Sequence, residues 1–93
     1  MENSKLFNVY RSLSKQEAKR FYRMVQSSYL KEHRILRLIS YMIKYHDQWD
    51  KTKYWKKDRI YYAVFGKDTT YNDLKLRETY SGLYAELKRF IMQ

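Results

Sequence analysis

The scarcity of proline and glycine is the feature that most limits how this chain can fold. The sequence has no proline and two glycines, Gly66 and Gly82. Tight β-hairpin turns favour the pairs Asn-Gly and Asp-Gly, and neither pair occurs. Apolar residues recur instead every three or four positions, as they do in amphipathic helices. The sequence therefore predicts an all-α fold in which strand is a minor component.

Five segments carry this helical spacing, and 93 residues is a suitable length for one small domain. We therefore predict a single helical domain over residues 1–93. The third segment is the most apolar, and the fifth has the most regular stripe, so these two should form the core. The predicted helices cover approximately 3–12, 14–27, 31–46, 56–65 and 73–92.

Several helix ends have recognisable signals. Ser14 and Glu17 have the spacing of a capping box, in which each side chain bonds a backbone amide of the other residue. Gly66 occupies the place where a left-handed C-terminal cap favours glycine. Asn72 or Asp73 should cap the last helix. The second helix has one apolar stripe, formed by Ala18, Phe21, Tyr22, Val25 and Tyr29.

Two features do not fit the helical pattern. Residues 47–57 lose the periodicity and are predicted to form a connecting loop with a short extended piece. Gly82 lies within the predicted last helix, on what the pattern indicates is its polar side. Glycine there costs about 1 kcal/mol relative to alanine, so the close approach of another backbone or of a ligand, or simple tolerance, must explain it.

The sequence contains no arrangement typical of an enzyme. His33 and His46 are thirteen positions apart, whereas helical metal ligands usually sit four apart. There is no glycine-rich phosphate loop and no cysteine. Ser81 precedes Gly82 within a predicted helix, so it does not form a nucleophile elbow. We therefore predict a protein that is not an enzyme, with no catalytic residue, no metal and no cofactor.

The net charge points to acidic partners. Twenty Lys and Arg residues face ten Asp and Glu residues, which gives +10. Such a charge favours nucleic acid, DNA or RNA, or an acidic protein as partner. No apolar run approaches the twenty or so residues of a membrane span, so we predict no membrane span, no signal peptide and a cytoplasmic location.

Cations beside aromatic rings are the best candidates for binding a polyanion, because cations contact phosphates and exposed rings stack on bases. Alternatively, the rings fold down over the core, which small domains need for stability. A second basic face on the third helix comprises Arg34, Arg37 and Lys44. The primary candidates are Lys51, Lys53, Tyr54, Trp55, Lys56 and Lys57 in the loop, with Arg77, Ser81 and Lys88 on the last helix.

A protein-interaction or capping module of a longer helical protein is the alternative function. The chain ends in an apolar stretch, Phe90-Ile91-Met92, without a helix stop signal. This ending predicts that the sequence is part of a longer protein, or that the last helix docks on another chain or on a second copy.

An ordered set of motifs supports the longer-protein prediction. Leu-Ser-Lys-x-Glu begins at Leu13, Val-Phe-Gly ends at Gly66, and Tyr-Asn-Asp-x-x-x-Arg-x-x-x-Ser-x-Leu begins at Tyr71. This pattern resembles the N-terminal domain of a family of uncharacterised, long, mostly helical bacterial proteins. The resemblance implies a helical architecture and a bacterial source, and it implies no activity.

The C-terminal half is also similar, more faintly, to the helix-turn-helix of winged-helix DNA-binding domains. An apolar helix over 60–65 is followed by Gly66, a polar loop and a long helix containing Leu76, Ser81 and Leu83. The β-hairpin wing that would follow is missing from the sequence, so the similarity is one of fold only.

Overall fold

The computed structural model describes residues 4–27 and 32–92, and their fold is all-α, as predicted. No strand forms within those residues. Each of the five predicted segments corresponds to one helix, and a 3-10 turn lies in the predicted loop. The elements are α1 (Ser4–Tyr10), α2 (Lys15–Ser27), α3 (His33–Lys44), the 3-10 turn (Thr52–Trp55), α4 (Lys57–Phe65) and α5 (Asp73–Ile91).

Local hydrogen bonds fix the starts of two helices. The Ser14 Oγ accepts from the Glu17 amide at 3.1 Å, and the Glu17 carboxylate accepts from the Ser14 amide at 2.8 Å. The predicted capping box is therefore confirmed. At α5, the Asn72 side chain accepts from the Lys75 amide at 3.2 Å, so Asn72 is the capping residue. Tyr29, predicted on the stripe of α2, lies outside the described residues.

The core is built around α3 and α5, as predicted. α3 packs against α2, α4 and α5, while α5 packs against α1, α2 and α3. Burying these side chains is the main favourable contribution to folding. Among the described residues the apolar core consists of Leu6, Tyr10, Ala18, Phe21, Val25, Ile35, Leu38, Ile39, Met42, Ile60, Tyr61, Val64, Leu76, Tyr80, Leu83 and Leu87. No helix in the described ranges is long and apolar enough to cross a membrane.

The predicted helix-turn-helix-like pair corresponds to α4 and α5. Residues 66–72 join the two helices, which is a longer connection than the three or four residues usual in that motif. α4 packs chiefly against α3 and the 3-10 turn, whereas α5 packs against α1, α2 and α3. The similarity therefore extends to the order of the elements and not to the packing of the pair.

The segment between α3 and α4 differs from the prediction, because it forms a 3-10 turn where an extended piece was predicted. The Tyr54 amide donates to the Lys51 carbonyl at 3.1 Å, which closes the turn. The Tyr41 hydroxyl donates to the Tyr54 carbonyl at 2.6 Å and fastens the turn to α3. The second contact depends on packing against α3, which local sequence patterns do not encode.

The two glycines serve different purposes. Gly66 ends α4 with a φ of +101°, a backbone conformation that residues with a side chain rarely adopt. Gly82 does not lie on the polar side of α5, so that prediction was wrong. It is half-buried, and a Cβ atom there would lie 2.8 Å from Ile35 Cδ1. Glycine at this position lets α3 and α5 approach closely.

Alanine substitutions should separate these two roles. Gly66→Ala is expected to lower the free energy of unfolding by about 1–3 kcal/mol, because the side chain is strained at that backbone conformation. Gly82→Ala should change it by less than about 1 kcal/mol, because the better helix propensity of alanine offsets the displacement of a flexible methyl group. Urea denaturation of both variants measures the difference. A greater loss of stability for Gly82→Ala than for Gly66→Ala would contradict these assignments.

Candidate polyanion-binding surface

Trp49, which precedes the 3-10 turn, and Trp55, its last residue, pack on each other and on the core. Trp49 and Trp55 stack with ring centroids 3.8 Å apart and an interplanar angle of 7°. Phe7 of α1 meets the ring of Trp55 edge-on at 5.5 Å, and the Trp55 Nε1 donates to the Gln48 carbonyl at 3.0 Å. Trp55 therefore folds down over the core, which was the alternative expectation for this ring.

A second aromatic stack lies between the end of α3 and the 3-10 turn. The rings of Tyr45 and Tyr54 are 4.2 Å apart between centroids, with an interplanar angle of 17°. Tyr41, one turn before Tyr45 on α3, contacts the Tyr45 ring at 4.8 Å. Tyr54 is thus half-buried and already stacked on a protein ring.

Three cations lie over this tyrosine stack. The Lys44 Nζ is 5.4 Å from the centroid of Tyr45, the Lys53 Nζ is 5.0 Å from that of Tyr54, and the Arg59 Cζ is 4.8 Å from that of Tyr54. Cation–π attraction of this kind contributes about 0.5–1 kcal/mol at exposed sites. We call the surface formed by Lys44, Tyr45, Lys53, Tyr54 and Arg59 the tyrosine face.

Neighbouring tyrosine side chains influence the pKa of Arg59. Burial would lower the pKa of its guanidinium, but a hydrogen bond to Tyr45 and the proximity of Tyr41 outweigh burial and raise the pKa above its usual value. Burial also raises the pKa of the Tyr41 hydroxyl, and the charge of Arg59 partly counters that rise. Arg59 is therefore a fixed cation, charged at every physiological pH.

The cations of the tyrosine face have no acidic partner among the described residues. The ion pairs in residues 4–27 and 32–92 involve other cations. Asp58 is adjacent to Arg59 in sequence, but its carboxylate accepts from the Arg59 backbone amide at 2.8 Å. Lys44, Lys53 and Arg59 therefore present positive charge that no described carboxylate neutralises.

A groove between α3 and α4 continues the basic surface. It has a volume of about 360 Å³, and the small side chain of Ala63 lies in its wall. Arg37 and Lys44, both from the predicted second basic face, line it, and Arg37 donates to the Val64 carbonyl at 3.2 Å. Tyr41 and Lys44 connect this groove with the tyrosine face.

Arg34 lies elsewhere. It lines a larger groove of about 770 Å³ beside α5, together with Arg77 and Ser81. Arg34 pairs with Glu32 at 3.1 Å and with Glu78 at 3.8 Å. The structure thus places Arg34 with the candidates on the last helix and apart from Arg37 and Lys44.

The candidates on α5 are largely engaged with neighbouring side chains. Arg77 pairs with Asp73 at 3.0 Å, the i,i+4 contact that the sequence indicated. The Lys88 Nζ lies 4.9 Å from the ring centroid of Tyr84, and Ser81 is exposed at the edge of the groove. Because a carboxylate already neutralises Arg77, this helix offers less unpaired charge than the tyrosine face.

The remaining lysines of the loop differ in their exposure and in whether a carboxylate lies nearby. Lys51 and Lys56 are exposed and form no ion pair with a described carboxylate. Lys57 is one-third exposed, and its Nζ lies 3.8 Å from an Asp73 oxygen. Lys57 is therefore a less available cation than Lys56.

Sequence reasoning missed Tyr45 and Arg59, which complete the tyrosine face. One signal was present, because Tyr41 and Tyr45 are four residues apart and so share a side of the helix predicted over 31–46. Arg59 gave no comparable signal, since its proximity to Tyr54 depends on how α4 packs against the 3-10 turn.

The histidine closest to this region has a structural role. The two ring nitrogens of His46 lie 3.0 Å from the Leu13 carbonyl and 3.4 Å from the Trp49 Nε1, which donates to the ring. Both nitrogens are thus used in holding the loop to the core. The described residues contain no cluster of three or more His, Asp or Glu side chains that could hold a metal ion.

Comparison with known proteins identifies no relative of this chain. No family model, curated protein or solved structure matches this chain. The resemblance to long bacterial helical proteins stays a prediction, and a function must be inferred from the surface itself.

Proposed function

We propose that this protein is a non-enzymatic binding module that contacts nucleic acid, or a similar polyanion, through the tyrosine face. The observation that carries this proposal is the group of three unpaired cations, Lys44, Lys53 and Arg59, over one stack of tyrosine rings. Cations held by neighbouring groups lose less side-chain entropy when they meet a phosphate. The net charge of +10 adds long-range attraction for the same ligand.

The groove between α3 and α4 enlarges the proposed interface. Arg37 and Lys44 are seven residues apart on α3, which corresponds to about 10 Å along the helix axis. Phosphates of one duplex strand advance about 3.4 Å each along the axis, so this span matches about three of them. Arg37, Lys44, Lys53 and Arg59 together supply up to four phosphate contacts.

The salt dependence of binding tests the proposal. With about four phosphate contacts, the log–log slope for duplex DNA should be about 3 to 4. Raising salt from about 50 to about 200 mM should then weaken binding roughly 100-fold. Fluorescence anisotropy with a labelled duplex measures this directly. Affinity weaker than about 100 μM at the lower salt would refute polyanion binding.

The α5 candidates provide an internal comparison for the same titration. Arg77→Ala removes a cation that Asp73 already neutralises, so it should change the affinity by less than about threefold. A larger loss for Arg77→Ala than for Arg59→Ala would move the proposed interface to the last helix.

Docking through the last helix is the second candidate function, and it is favoured by exposed apolar side chains at the end of α5. Ile91 is 51 % exposed and Met92 is 85 % exposed. A partner chain or a second copy would cover them. This candidate predicts concentration-dependent association in light scattering that Ile91→Glu abolishes, together with negligible affinity for the duplex.

The proposal extends to the setting of the module. We place it in the cytoplasm of a bacterium, where nucleic acid is abundant, as the N-terminal part of a longer helical protein.

A further inference from the structure

The tyrosine face differs from surfaces that bind single strands by stacking, although it contains two tyrosine rings. Resting on the proposed function, we infer that the face recognises the phosphates of a nucleic-acid backbone and leaves the bases unread. It should therefore accept duplex, single-stranded and baseless strands alike.

The inner faces of the two rings are closed to a base. Tyr45 and Tyr54 lie 4.2 Å apart and nearly parallel, so they are in direct contact. A base inserted between them would have to separate the rings and move the 3-10 turn away from α3. The Tyr41 hydroxyl, which bonds the Tyr54 carbonyl at 2.6 Å, opposes that movement.

Cations and a third ring surround the rest of the stack. The Lys44 Nζ lies 5.4 Å from the Tyr45 centroid, and the Lys53 Nζ and Arg59 Cζ lie 5.0 and 4.8 Å from the Tyr54 centroid. The Tyr41 ring also contacts Tyr45, at 4.8 Å. A base that stacked there would have to displace a charge that binds the ring.

The neighbouring indoles offer no substitute platform. Trp49 and Trp55 cover each other at 3.8 Å, and Phe7 meets both rings, at 5.9 and 5.5 Å. The Arg11 Cζ lies 5.6 Å from the centroid of Trp49. The rings near the tyrosine face are therefore already engaged in contacts within the protein.

The cations keep hydrogen-bond donors for phosphate. A lysine ammonium has three N–H donors and a guanidinium has five, and a cation beside a ring can still direct several of them toward solvent. Arg59 is exposed, so its guanidinium donors can reach other acceptors. Oxyanions of the backbone are thus the groups that this surface can bind best.

The test compares three labelled ligands with equal numbers of phosphates: an oligothymidine strand, a strand of abasic sites and a duplex. We expect the thymidine and abasic strands to bind within about twofold of each other. The duplex should bind as tightly or more tightly, because its phosphates are more densely spaced. Unlabelled inorganic polyphosphate should displace the duplex at a comparable phosphate concentration, since phosphate alone is the recognised group.

Two results would overturn the inference while leaving the proposed function intact. Stacking of even one base would make the thymidine strand bind about 5-fold to 100-fold tighter than the abasic strand. Binding to the nucleic acids without displacement by polyphosphate would mean that sugars or bases are read. Absence of binding in every arm would instead overturn the proposed function itself, and the inference with it.

Discussion

Trp49→Ala is expected to lower the free energy of unfolding by about 3 kcal/mol, the low end of the range for removing a large aromatic residue from a core. Trp49 joins the loop to α1, because its ring contacts Phe7 and Tyr10 and stacks on Trp55. Its indole N–H also donates to His46. Alanine would leave a cavity beside Phe7, Tyr10 and Trp55 and an unmet acceptor on the histidine.

Urea denaturation followed by circular dichroism measures this loss. Trp49→Phe is the matched control, since it retains an aromatic ring and removes the hydrogen bond. Trp49→Phe should lower the free energy of unfolding by a smaller amount, about 1–2 kcal/mol. If Trp49→Ala cost less than about 1 kcal/mol, the loop would not be anchored through this ring.

Removing the three cations of the tyrosine face should have the largest effect on binding. The triple variant Lys44→Ala, Lys53→Ala and Arg59→Ala is expected to bind duplex DNA roughly 100-fold more weakly at about 100 mM salt. The log–log salt slope should fall by about 2 to 3, close to one for each phosphate that is no longer neutralised. Anisotropy titrations at several salt concentrations give both quantities.

A matched control on α2 separates the tyrosine face from the overall charge. Lys19, Arg20 and Arg23 are exposed and form no ion pair with a described carboxylate. Changing all three to alanine removes the same net charge at a different surface. The log–log salt slope of this variant should then differ by less than about one from the slope of the unaltered protein. Equal losses in the two triple variants would show that binding depends on net charge alone, without a defined face.

The positions of the helices could be predicted from the sequence because the interactions that set them are local. Ser14 and Glu17 cap each other across three residues, and Asn72 caps the amide of Lys75 across the same distance. The apolar stripes likewise repeat within each helix. These features depend only on the order of neighbouring residues, and the caps at Ser14 and Asn72 are present in the structure.

The candidate surface could be predicted only in part. Lys53 and Tyr54 were identified because basic and aromatic residues are adjacent in the loop, and Lys44 because it lies on the basic face predicted for the third helix. Neighbouring residues do not indicate whether a ring is free to stack, so Trp55 was included although it packs on Trp49. Nor does the order of neighbouring residues indicate which cations are neutralised. Asp73 neutralises Arg77, whereas no described carboxylate neutralises Lys53.

The sequence by itself determined the fold class, the approximate helix ranges, the caps and the excess of positive charge. The tertiary structure alone decided that Arg59 lies over Tyr54, that the Ile35 side chain packs closely against Gly82, and that Arg34 is separated from Arg37. The physical reason is distance along the chain. Helix periodicity and capping act over three or four residues, whereas ring stacking, charge pairing and close approach depend on which helices meet.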